Sequence, residues 1–122
     1  MTKEAAIYNF WSSFDIPAYE ENTIPSDATF PYIAYQLVTD SFGYDVIATA
    51  SLWYRDESWL DVNSKANEIA AYIGCGGIII KCDGGRIWIK RNEPFAQNMG
   101  DPSDDLIRRK YLNITIEYMT ND

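Results

Sequence analysis

The sequence predicts a single α+β domain in two layers, with two helices on one face of an antiparallel or mixed β-sheet of about five strands. Three observations carry that expectation. Two segments repeat apolar residues at a helical period, and five others are rich in β-branched and aromatic residues. Their order, α-β-β-α-β-β-β, lacks the strict βαβ alternation of a parallel sheet. The chain of 122 residues is 47% apolar and 15% aromatic, enough for one core and far from compositions that stay disordered. No internal repeat or composition change marks a linker, so residues 1–122 read as one domain.

Thr2 is placed to cap a first helix, in which Ile7, Phe10, Trp11 and Phe14 fall at i, i+3, i+4 and i+7. That helix is expected to end near Ser13. From 14 to 31, Pro17, Pro25 and Pro31 with Asn22, Ser26 and Asp27 predict a long loop without regular structure. Residues 32–39 and 46–54 predict a hairpin turning at Ser41, Gly43 and Asp45. In its second strand Val46, Ala48, Ala50, Leu52 and Tyr54 share one face, and Ile47, Thr49, Ser51 and Trp53 share the other.

Ser58 followed by Asp61 resembles a capping box and opens a second helix over about residues 59–73. Val62, Ala66, Ile69, Ala70 and Ile73 form its apolar stripe, and Gly74 suits its C-terminal stop. Residues 78–82 and 86–91 flank Asp83-Gly84-Gly85, the clearest hairpin in the chain. Residues 92–105, with Pro94, Gly100, Pro102 and three aspartates, read as a second long loop. A final strand over about 106–119 alternates Leu112, Ile114, Ile116 and Tyr118 with Asn113, Thr115 and Glu117. Two helices on one sheet face leave the other face in need of a cover, which another subunit could supply.

Several classes of function are disfavoured. The longest apolar runs, such as Ile78-Ile79-Ile80, fall far short of the roughly 20 residues of a membrane span. The opening residues lack the pattern of a secretory signal, which predicts synthesis in the cytosol. Cys75 and Cys82 are expected there as thiols, small and half-buried in the core. The chain has no histidine, which excludes histidine bases and the common triads, and no enzymatic activity is expected. No metal is expected either, since a zinc site would rest on carboxylates. Asp101, Asp104 and Asp105 lack the glycine and closing glutamate of a calcium loop and read as a solvated turn. The glycines form no phosphate-binding loop, so no cofactor is predicted.

Eighteen acidic against ten basic side chains, net −8, disfavour general binding to nucleic acid or anionic membrane. The charge is unevenly placed. Residues 1–61 hold ten acids with only Lys3 and Arg55, whereas residues 62–122 hold eight of each sign. Such asymmetry suits head-to-tail contact between copies or a space lined with acid, and equally a solvated acidic surface. Aromatic and basic groups also gather where a core does not require them, at Phe30-Pro31-Tyr32, at Pro94-Phe95 and at Arg108-Arg109-Lys110. A basic triplet on a strand places charge on both faces, which predicts a sheet rim whose heads reach water or the acidic half of a neighbour. A small ligand pocket built from Trp11, Trp53, Trp59 and Trp88 is a further alternative.

The order of several short pieces resembles the tail terminator, or tail completion, proteins of long-tailed bacteriophages and phage-tail-like particles. These pieces are Ile24-Pro25, Phe30-Pro31-Tyr32-Ile33-Ala34-Tyr35, Glu68-Ile69, Arg91-Asn92-Glu93-Pro94-Phe95 and Asp104-Asp105-Leu106-Ile107-Arg108-Arg109-Lys110-Tyr111. The resemblance covers almost the whole chain. It implies a structural virion protein that forms a hexameric ring on the head-proximal end of the tail tube, stops tube polymerisation and joins the neck. It implies assembly in the host bacterial cytoplasm. The implied partners are further copies of the chain, the tail tube protein, neck or head-tail connector proteins, and the sheath protein where the tail is contractile. DNA passes through such a ring without specific binding, and no membrane is involved. Arg91, Glu93, Phe95, Gln97, Arg108, Arg109 and Lys110 are the expected protein-interface residues, with no catalytic, cofactor or metal residues. Another head-tail joining or neck protein of the same particle is the nearest alternative.

Overall fold

The Thr2 hydroxyl accepts the Ala5 N–H at 3.1 Å and so caps α1 (Lys3–Ser12), as its position predicts. The computed structural model describes residues 1–39 and 42–120; the expected turn residue Ser41 lies outside them. After α1 come β1 (Ala18–Glu20), β2 (Tyr32–Tyr35), β3 (Asp45–Arg55), α2 (Leu60–Ile73), β4 (Ile78–Cys82), β5 (Gly85–Met99) and β6 (Ile107–Thr120). Among the described residues the order is therefore α-β-β-β-α-β-β-β, with six strands where about five were expected.

The six strands form one mixed sheet in the order β1-β2-β3-β6-β5-β4. β1 runs parallel to β2 and every other pairing is antiparallel. The sheet curls until both of its edge strands, β1 and β4, reach α1, while α2 covers β3, β5 and β6. One core lies between helices and sheet. Leu112, Ile114, Ile116 and Tyr118 of β6 are all fully buried there with Ala48, Ala50 and Leu52 of β3. Burying each of the larger aliphatic side chains contributes about 1.5–3 kcal/mol. Ile7, Phe10 and Trp11 of α1 join the same core, and the Trp11 ring stacks near Tyr35 at 6.3 Å between centroids.

Three corrections to the expected elements have local causes. β1 forms inside the predicted loop of residues 14–31, because β2 offers it an open edge. Ile33 donates to the Pro17 carbonyl and Glu21 to the Tyr35 carbonyl, both at 2.8 Å. β5 continues to Met99 through the second predicted loop, with a register shift between Arg91 and Ala96 that accommodates Pro94. The strand expected over 32–39 stops at Tyr35, where the Gln36 side-chain oxygen takes the Thr49 N–H at 3.2 Å. The α2 capping differs in detail as well: Ser58 Oγ accepts the Leu60 N–H at 3.0 Å, but Asp56 rather than Asp61 receives the Ser58 N–H.

The β4–β5 hairpin is tighter than expected. Cys82 pairs with Gly85, so Asp83 and Gly84 alone make the turn, with Gly84 at φ 80°. Gly85 serves a different need, since a Cβ there would lie 2.0 Å from the Met119 carbonyl oxygen. Both cysteines are free thiols; Cys82 is half-buried, but Cys75 is exposed rather than part of the core.

Candidate protein interface

Alternation along the central strands separates a buried face from an outer one. Opposite the core residues of β3 and β6 stand Ile47, Thr49, Ser51 and Trp53, with Arg109, Tyr111, Asn113, Thr115 and Glu117. Neither helix covers this face, and Ile47 on it is 67% exposed.

The register aligns one row across four strands: Tyr32 pairs with Trp53, Trp53 with Arg109, and Arg109 with Met99. The rings interlock along it. Tyr32 stacks near Trp53 at 6.4 Å, and Tyr19 and Phe30 approach Tyr32 at 5.9 and 5.7 Å. Burial pushes the Tyr32 phenol above its ordinary value, and the neighbouring Tyr19 adds to the shift. The Arg109 guanidinium sits over Trp53 at 4.7 Å and near Tyr111 at 5.4 Å, and its Nε donates to Ser51 Oγ at 3.0 Å. Tyrosine, tryptophan, arginine and methionine are the residue types that protein interfaces concentrate.

The predicted interface residues fall into three places. Arg109 lies on the outer face, beside Gln97, which pairs with Tyr111. Arg108 and Lys110 point the other way and act as internal struts. Arg108 donates to the carbonyls of Asp105 and Glu57 and lies over the Trp59 ring. Lys110 Nζ donates to Asn63 of α2 at 2.9 Å and to Asn98 at 2.7 Å. Arg91, Glu93 and Phe95 line a cleft of about 390 Å³ with Asn92 and Cys75, where Arg91 donates to Cys75 Sγ at 3.5 Å.

Sequence reasoning missed Met99 as a member of this row, and Tyr19, Ser51 and Tyr111 beside it. Alternation alone marks their strand faces; which residues stand side by side depends on pairing β3 with β6. The four tryptophans lie in four places: Trp11 in the core, Trp53 under Arg109, Trp59 under Arg108, and Trp88 beside Lys90.

The aspartate-rich turn is held by its own carboxylates. Asp101 accepts from the Ser103 hydroxyl and N–H, and Asp104 pairs with Arg55 at 2.8 Å and accepts the Leu106 N–H. These bonds hold both carboxyls below their ordinary values, the hydroxyl of Ser103 contributing most for Asp101 and the Arg55 guanidinium for Asp104. Among the described residues, no group of three or more His, Cys, Asp or Glu side chains could hold a metal ion. None of the described helices is long and apolar enough to cross a membrane.

The sheet order also gives the charge asymmetry a place. β1, β2 and β3 form one half of the sheet and β6, β5 and β4 the other. Residues 13–59, which supply the first half, hold eight acids and one base; residues 74–120, which supply the second, hold six acids and seven bases. No protein-family model matches the chain, and no curated protein matches it.

Proposed function

We propose that this chain is a structural assembly protein, not an enzyme, which caps the head-proximal end of a phage-type tail tube as a ring of identical subunits. Capping ends tube growth because the cap offers the tube one matching surface and offers no second one to a further tube subunit. The observation that carries this reading is the uncovered row of Tyr32, Trp53, Arg109 and Met99 across the outer face. Aromatic rings and a guanidinium held in a rigid sheet supply large contact area at little cost in side-chain freedom, as a docking face requires. Arg109, Gln97 and the cleft residues Arg91, Glu93 and Phe95 are the proposed contacts to the tube and neck. The separation of charge between the two sheet halves supports a ring, since head-to-tail contact needs unlike surfaces on one subunit. The resemblance of several sequence pieces, in order, to tail terminators supports a tail tube as the partner.

The test is polymerisation of the tail tube protein from the same particle, with and without this chain, followed by negative-stain imaging. Capped tubes of shortened length are expected, and Arg109→Glu should abolish capping while leaving the circular dichroism spectrum unchanged. Tubes that grow equally long in the presence of the native chain, with no density at their ends, would overturn the proposal.

A further inference from the structure

Lys81 and Arg86 stand directly opposite each other on β4 and β5, and both are exposed. They lie on the outer face, because Ile78, Ile80 and Cys82 pack towards the core between them, as do Ile87 and Ile89. Like charges facing each other across a strand pair destabilise a sheet, and neither residue makes an ion pair among the described residues. Lys90 on the same face differs, standing 3.6 Å from Glu117 and over the Trp88 ring at 4.2 Å. Next to the unpaired cations lie Trp88 and Ile79, the latter 54% exposed. An uncompensated cationic pair beside apolar groups on the outer face of the sheet fits an acidic protein surface.

The same chain carries such a surface along its other sheet edge. Glu21 follows directly on β1 and Asp27 lies in the segment leading to β2; both are exposed, and neither has an ion pair among the described residues. Tyr19 and the exposed Phe30 supply apolar area there. The one base in residues 13–59, Arg55, is already engaged by Asp104. The two unpaired patches therefore sit on opposite edge strands and carry opposite signs.

We infer that Lys81 and Arg86 of one copy meet Glu21 and Asp27 of the next, so that edge β4 docks beside edge β1 head to tail. This inference rests on the ring-forming reading above and names the contact that builds the ring. Because the patches are unlike, each contact leaves one patch of each sign free, and the arrangement propagates until it closes.

Three variants test it: K81E/R86E, E21K/D27K, and the combination of all four. Glu20 is left in place because its carboxylate holds the Asn22 N–H. Mass is read by light scattering at low salt, where charge attraction reaches furthest, and circular dichroism confirms folding. The native chain should assemble, and each double variant should raise the concentration for half-assembly by ~tenfold or more. A mixture of the two doubles, and the fourfold variant alone, should regain assembly because opposite signs again face each other. Doubles that assemble like the native chain, a native chain that stays single at every salt concentration, or a folded fourfold variant that fails to recover would each overturn the contact. So would native binding to a duplex oligonucleotide that K81E/R86E abolishes, since the cations would then serve phosphates. Tube capping separates the two readings. Assemblies that follow the charge-swap pattern yet ignore tubes leave the contact standing and remove the tail role, whereas doubles that assemble and cap like the native chain remove the contact alone.

Discussion

The Arg109 guanidinium lies 4.7 Å from the centre of the Trp53 ring while its Nε is held by Ser51, the buried residue two positions earlier on the same strand as Trp53. The hydroxyl holds the guanidinium and the ring supplies the attraction, so the cation is set over Trp53 on the outer face with no ion pair among the described residues. Its immediate neighbours Arg108 and Lys110 turn inward to α2 and the loops around it. A run of three basic residues thus divides its work between the outer face and two internal ties.

A double-mutant cycle on Arg109→Ala and Trp53→Ala should give a coupling of about 0.5–1 kcal/mol in urea unfolding, rising towards ~2 kcal/mol if the pair is well desolvated. A coupling near zero would mean that the two groups are neighbours without attraction.

Gly85→Ala should destabilise the fold by about 1–3 kcal/mol, because the new methyl meets the Met119 backbone, which cannot yield as a flexible side chain would. Gly76→Ala, with open space at its Cβ position, should stay within about 0.5 kcal/mol of the native chain. Equal midpoints for the two in chemical denaturation would contradict the close approach of β5 and β6.

Acid should expose the role of Asp104. Its folded carboxyl is held below the ordinary value by Arg55 and then by the Leu106 N–H, so the contribution is complete above the unfolded value of about 4 and fades as pH falls through the lower folded value. Asp104→Asn should therefore flatten the fall of stability below about pH 4 and change the slope little near neutrality. An unchanged acid slope, followed by thermal melts across that range, would show that the turn does not hold this charge.

The two thiols should react in a fixed order. Cys75 is exposed, whereas burial raises the Cys82 thiol above its ordinary value despite the nearby Lys3. Mass spectrometry after brief alkylation should find label on Cys75 first, and equal labelling in the folded chain would contradict the packing of β4.

Much of this fold was legible because the strongest patterns are local. The run of Leu112, Ile114, Ile116 and Tyr118 announces a half-buried strand, and Thr2 announces a helix start. β1 was not legible, because three residues next to Pro17 carry almost no periodicity and owe their conformation to the open edge of β2. Pro94 misled for a related reason. Proline normally ends a strand, but this one falls in the bulge of β5, where residues 92–95 leave the ladder with β6. Of the interface, the basic triplet and Phe95 were visible as residue types, while the meeting of Trp53 with Arg109 depends on pairing positions 56 residues apart.

Placing β6 between β3 and β5 has a consequence for synthesis on the ribosome. The first three strands and the β4–β5 hairpin are both made before β6, yet they share no ladder until β6 fills the gap between them. Vectorial folding would therefore stall at two unjoined sheets with open edges, and the cooperative step waits for residues 107–120 to emerge. Pairings this distant in sequence slow folding relative to a helical bundle of the same size.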